Sequence, residues 1–237
     1  MNMDAYILHI ETSGIFCSVS LAKNGETLAI KYIDEPNQHA SKLTTLISRI
    51  IEEAMPASAS LSAIAISQGP GSYTGLRIGV STAKGLCYGW DIPLIAVPTL
   101  QAMFAGFAEK HLDLIEKNAG YIPMIDARRM EVYMMAFDAE GNVLEDTKAL
   151  IVEESSLDSF FKTKDKMYIF GRGAEKLKEL FEEEPRINCV PGFEPRAEYM
   201  HALAYSKFRE NDFEDVAYFE PFYLKDFVPT QPKKNII

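Results

Sequence analysis

The chain has 237 residues, enough for one large domain or two small ones, and at 47% hydrophobic and 24% charged it has a globular composition. Its 24 basic against 34 acidic residues give a formal charge of −10, which excludes a broad nucleic-acid surface and leaves room only for a local basic patch. Cys17, Cys87 and Cys189 are odd in number and far apart, so they exclude a disulfide framework and a cysteine metal cluster and fit a reduced, cytoplasmic setting. The opening MNMDAYILHI has no basic n-region, so no signal peptide is expected. No run reaches the ~18 apolar residues that span a membrane.

Tyr6 to Ile10 reads as an apolar strand ending at Glu11, followed by turn chemistry in ETSG and a second strand over Phe16 to Ala22. The Asn-Gly of KNGE predicts a hairpin into a third strand, Leu28 to Ile33. Ala40 to Ala54 has helical period, with Leu43, Leu46, Ile47, Ile50 and Ile51 on one face. Leu61 to Ser67 reads as a buried strand and Leu94 to Val97 as another, with a helix starting at Pro98-Thr99.

Between those strands lies QGPGSYTGLRIGVSTAKGLCYGW, Gln68 to Trp90, a Gly-Pro loop running into a helix. Ser72 or Thr74 can cap that helix. Gly75, Gly79 and Ala83 recur every four residues and share a face. Glycine inside a helix costs roughly 1 kcal/mol against alanine, so the stripe calls for close approach by another backbone. The alternatives are a phosphate at the loop, another chain's helix, or the protein's own sheet. The loop lacks the Gly-Lys-Ser/Thr ending of a phosphate-binding P-loop.

At Tyr121 the pattern restarts. YIPMIDARRMEVYMMAFDAEGN aligns with YILHIETSGIFCSVSLAKNGE, with Glu11 and Asp126 115 positions apart and Gly25 and Gly141 116 apart. This predicts two lobes of one type, residues 1–117 and 118–237, jointed near Glu116 to Gly120. Further on, Met167 to Phe170 reads as a strand entering GRGA, Ala174 to Glu183 as a charged helix, Ile187 to Val190 as a strand and Glu198 to Phe208 as a helix. A Pro-Lys-rich tail closes the chain and is expected to be poorly ordered.

Glu11 and Asp126, ending equivalent strands, are candidates to face a cleft between the lobes and orient Mg²⁺ beside a nucleotide. Thr12, Ser13, Arg128, Gly171 and Gly173 would complete that candidate nucleotide cleft. Arg128 and Arg129 alternatively pair with the surplus of acids. His9, His39, His111 and His201 include no helical pair three or four apart, so no metal site is expected. No complete catalytic set is present, and none of the catalytic residues of this class can be assigned.

ETS near the start, QGPGSYTGLRIG and DARRMEVY together resemble the bacterial TsaB (YeaZ) family, strongly from Tyr6 to about Phe137 and more loosely through GRGA and PFYLK. The resemblance implies an α/β, actin-like ATPase fold (the sugar kinase, heat-shock protein and actin class), with duplicated lobes of mixed sheets flanked by helices. It also implies a role in making threonylcarbamoyladenosine next to the tRNA anticodon, as partner of the transferase TsaD in an assembly with TsaE. The tRNA would be reached through that complex, with no cofactor required by this chain and ATP or ADP with Mg²⁺ belonging to the complex. The helices Ala40 to Ala54 and Tyr73 to Gly89 would dock on TsaD, and the same surface would form a homodimer without it. Leu43, Leu46, Ile47, Ile50, Tyr73, Gly75, Arg77, Gly79, Ala83 and Leu86 are then the expected partner-binding residues. ETSG departs from the Asp-x-Gly of active kinases of this class, which counts against the alternative of an active ATPase or small-molecule kinase.

Overall fold

A computed structural model describes residues 4–33, 35 and 39–225; the Pro-Lys tail lies outside the described residues. The first sheet contains β1 (Tyr6–Glu11), β2 (Cys17–Lys23), β3 (Glu26–Ile33), β4 (Ala63–Gly69) and β5 (Leu94–Pro98), ordered β3-β2-β1-β4-β5. The second contains β6 (Ala119–Asp126), β7 (Glu131–Phe137), β8 (Val143–Ile151), β9 (Lys166–Phe170) and β10 (Ile187–Val190), ordered β8-β7-β6-β9-β10. In each, the first three strands form an antiparallel meander and the last two run parallel to the first. The duplication expected from the residue offsets is therefore present strand for strand.

Local chemistry explains the elements. Asn24 (φ 51°) and Gly25 (φ 83°) are both left-handed, as the two-residue hairpin between β2 and β3 requires. Helix α1 (His39–Ala54) turns Leu43, Leu46, Ile47 and Ile50 onto the first sheet, where all four are buried. Each such side chain contributes roughly 1.5–3 kcal/mol on burial. Ser72 caps α2 (Tyr73–Trp90) by accepting a hydrogen bond from the Gly75 N–H at 3.2 Å, and Asp91 ends it in the left-handed conformation. The Gly69–Pro70 peptide leading into this helix is cis.

Three cores stack in layers. One packs α1 and α2 on the outer face of the first sheet. The second fills the space between the sheets around α3 (Thr99–Lys110) and the segment from Ala197, including α5 (His201–Glu210). The third lies outside the second sheet. Residue 117/118 separates the two sheets, but the C-terminal segment does not stay with the second. Helix α5 packs against β1, β3 and β5, Glu214 bridges Leu94, and Phe222 N–H donates to Gln68 O at 2.7 Å.

Two expectations differ from the structure. Val143–Ile151, to which the sequence assigned no element, is a nine-residue strand. The helix expected over Ala174 to Glu183 shrinks to the single turn α4 (Arg172–Glu175). Beyond it, Leu177, Lys178 and Glu182 N–H groups bond carbonyls three residues back, tightening the chain into turns while Leu177 and Phe181 stay buried.

Candidate functional site

The Gly-Pro loop and α2 sit directly on the turn after β1. Ser72 N–H donates to Ser13 O at 2.7 Å. A Cβ at Gly71 would stand 2.6 Å from Ser13, one at Gly75 2.1 Å from Thr12 O, and one at Gly79 2.1 Å from Thr12 Oγ1. The small-residue stripe therefore faces inward, and the approaching backbone is the protein's own β1 turn. This corrects the expectation that Gly75, Gly79 and Ala83 face a partner; all three are buried. Leu43, Leu46, Ile47 and Ile50 are corrected with them, because α1 uses these side chains to hold the sheet.

Of the expected docking residues, Arg77 is exposed and Tyr73 and Leu86 are partly so. Arg77 Nη1 donates to Tyr73 Oη at 3.0 Å. Around them lies a second small-residue face that the sequence reading passed over: Thr74, Ser81, Gly85 and Gly89 on α2, with Thr44, Thr45 and Ser48 exposed on α1. A Cβ at Gly85 or Gly89 would meet nothing within 4 Å. Tyr88 projects from this face, 87% exposed.

The cleft between the lobes has a volume of about 460 Å³, and Ser13, Asp126 and Arg128 of the expected residues line it. Glu11 and Thr12 are buried behind it, and Gly171, the N-cap of α4, and Gly173 within α4 pack against the Met124–Ile125 backbone. Glu11 Oε1 accepts from Ser13 N–H and from Ser67 Oγ, and burial pushes its carboxyl above the usual range. Nor are Glu11 and Asp126 equivalent in facing: Glu11 has the strand parity of Ile7 and Asp126 that of Met124. Even-numbered residues of β1 enter the outer core and Ile7 the inner, whereas Tyr121 and Ile125 of β6 enter the inner core and Met124 the outer. An odd offset of 115 thus reverses the face, while 116 preserves it.

Asp126 is held by Lys176 Nζ and by Arg128 N–H at 2.9 Å. Arg128 (φ 71°) and Arg129 (φ 52°) form a left-handed turn that presents Arg128 to the cleft. Sequence reading missed Arg172, which stands inside GRGA between the two glycines that were singled out. It also missed Glu194, whose carboxyl burial pushes up to about 7 against the Arg172 guanidinium 3.8 Å away. Tyr223 and Lys225 were missed because they lie far along the chain; the Tyr223 ring lies 4.9 Å from that of Tyr73, tilted by 38°, and Lys225 pairs with Glu131. An Mg-nucleotide needs carboxylates free to meet the metal, and this donor set does not supply them: Glu11 serves its own turn and Asp126 is tied to Lys176. Among the described residues no three His, Cys, Asp or Glu side chains cluster as metal ligands, and no helix is long and apolar enough to cross a membrane.

Two five-stranded mixed sheets of one topology, enclosing a cleft at their strand ends, define the actin-like ATPase class. The family described as TsaD, tRNA N6-adenosine threonylcarbamoyltransferase, matches residues 35–226. The chain belongs to that family, on its TsaB (YeaZ) branch. It is 29% identical to the tRNA threonylcarbamoyladenosine biosynthesis protein TsaB of Escherichia coli, over 94% of this chain and 95% of that one. The TsaB of Bacillus subtilis is also 29% identical, over 92% and 93%. YeaZ from Pseudomonas aeruginosa superposes with a TM-score of 0.77 at 23% identity, covering 93% of this chain and all (100%) of that one.

Proposed function

We propose that this chain is a non-catalytic, cytoplasmic subunit of tRNA threonylcarbamoyladenosine biosynthesis. It docks on TsaD and activates threonylcarbamoyl transfer to the adenosine next to the anticodon. TsaE and tRNA join through that complex, ATP or ADP with Mg²⁺ belongs to the complex, and without TsaD the chain pairs with itself. The pathway comes from the TsaB relatives named above.

The observation that carries the docking reading is the exposed pair Gly85 and Gly89 on α2. Glycine inside an exposed helix costs roughly 1 kcal/mol, and nothing in the isolated chain uses the space it leaves. A partner helix seated over Thr74, Arg77, Ser81 and Gly85, flanked by Thr44 and Ser48 of α1, would use it. Gly85→Arg is expected to abolish copurification with TsaD and lower the modified nucleoside while leaving thermal unfolding unchanged. Retained copurification would sink the assignment of this face.

A second reading, an active ATPase or small-molecule kinase, is favoured by Arg128 and Arg172 at the cleft. Calorimetry with Mg-ATP decides it: tight binding and a turnover lost in Asp126→Ala would support it, and silence would remove it.

A further inference from the structure

Asp126 and Glu194, the acids that line the cleft, are engaged by neighbours. Lys176 and the Arg128 N–H hold Asp126, and the Arg172 guanidinium faces Glu194 at 3.8 Å, too long for a hydrogen bond. Lys225 is engaged in turn by Glu131. The Arg128 guanidinium is left over: it is exposed, lines the cleft and has no salt bridge among the described residues. A chain with 34 acidic residues has carboxylates to spare, yet none covers this cation.

The backbone points the same way. Arg128 and Arg129 are both left-handed, at φ 71° and 52°, where side chains other than Asn are uncommon. The hairpin between β2 and β3 meets the same demand with Asn24 and Gly25. Strain of this kind persists where a side chain is needed in that place. On the first lobe the cleft wall is the head of α2, Ser72 to Thr74, the positive end of an 18-residue helix. Ser13 beside it also lines the cleft, is 1% exposed, and its Oγ has no hydrogen-bond partner among the described residues. Buried Met103, Met124 and Ile125 and partly exposed Tyr133 and Tyr223 make the rest of the wall apolar and aromatic.

We propose that the cleft binds a small organic anion without a metal ion, its carboxylate or phosphate head at Arg128 and its apolar or aromatic body against Met124 and Tyr223. A Mg-nucleotide needs free carboxylates, and this cleft offers a free cation and neutral donors instead. A guanidinium takes either head through paired N–H groups. A volume of about 460 Å³ suits a small metabolite. Neither Gly85 nor Gly89 lines the cleft, so the site stands apart from docking on α2.

Ligand-observed NMR titration of the full chain in EDTA tests it, with phenyl phosphate and phenylacetate as two heads on one body. At least one should bind with a Kd of roughly 0.1–5 mM, tighter than inorganic phosphate or acetate, and added Mg²⁺ should change nothing. The head that binds tighter names the class of ligand. Asparagine tolerates the left-handed turn, so Arg128→Asn should keep its thermal midpoint and weaken binding at least about tenfold. Arg172→Gln should weaken it about threefold. No binding of either probe up to about 10 mM overturns the proposal, as does binding that Arg128→Asn leaves unchanged. Binding that appears only with Mg²⁺ overturns it in favour of the ATPase reading. Should Arg128→Asn lower the thermal midpoint, Arg172→Gln decides.

Discussion

The two lobes share a strand order and differ in what they bury. The first lobe hides His9, Glu11, Ser18, Ser20 and Ser67 in its sheet and Thr12 and Ser13 in the turn after β1, whereas buried side chains on β6 to β10 are apolar or aromatic. The first also carries 16- and 18-residue helices on its outer face where the second has one turn of helix and a 3₁₀ stretch. One duplicated frame has thus been used in two ways: a polar, glycine-packed lobe with a helical surface, and a plainer one that closes the cleft. Buried polar groups are satisfied by specific partners or they destabilise, so the first lobe is the one whose stability depends most on exact backbone approach.

The sharpest break in that comparison is steric. Gly79→Arg is expected to cost about 3 kcal/mol or more and to lower the thermal midpoint by many degrees, since its Cβ would meet Thr12 Oγ1 at 2.1 Å. Gly85→Arg, two turns along on the outer face, should leave the melt where it is; equal losses would refute the inward and outward assignments. The next effect is on the acid side. Burial holds His9 at about 3, below its ordinary 6.5, so the folded state resists its protonation. Stability is complete above pH 6.5 and falls by up to about 1.4 kcal/mol for each unit below it, a slope that His9→Gln should flatten in denaturant titrations.

Glu194, in the cleft, runs the other way. Its carboxyl is raised from 4.5 to about 7, so its contribution is present below pH 4.5 and is lost as pH climbs to 7. The loss is about 2–3 kcal/mol at most, and Glu194→Gln should remove it. The smallest effect sharpens the contrast between the strand-end acids. Asp126→Asn weakens a half-exposed pair with Lys176 and should change stability by about 1 kcal/mol or less. Glu11→Gln disturbs a buried acceptor of two hydrogen bonds and should cost more. Equal losses in chemical denaturation would erase the difference between the lobes at this point.

Much of the frame was readable from residues alone. Period two marked the meanders, Asn24-Gly25 their first hairpin, period three to four the helix α1, and the recurrence at Tyr121 the second sheet. The charged stretch after Ala174 misled because Glu and Lys favour helix locally, yet Leu177 and Phe181 reach the core through tighter turns. β8 escaped notice because an edge strand with charge on both faces loses the alternation that identifies a strand. The parity of β6 against β1 was hidden as well, since an offset wrong by one residue still aligns the motifs.

The sequence by itself determined the duplicated topology, a cap at Ser72 or Thr74, and a helix with glycine where something must come close. It could not determine which side of that helix is which. Gly75, Gly79 and Ala83 form one stripe of small residues, and Ser81, Gly85 and Gly89 form another, with the same spacing. Only the tertiary structure chose between them, because Thr12 and Ser13 occupy the space over the first stripe and nothing occupies the space over the second. A helix pattern records that a backbone can approach; which backbone does so depends on contacts between residues some 60 positions apart in the chain.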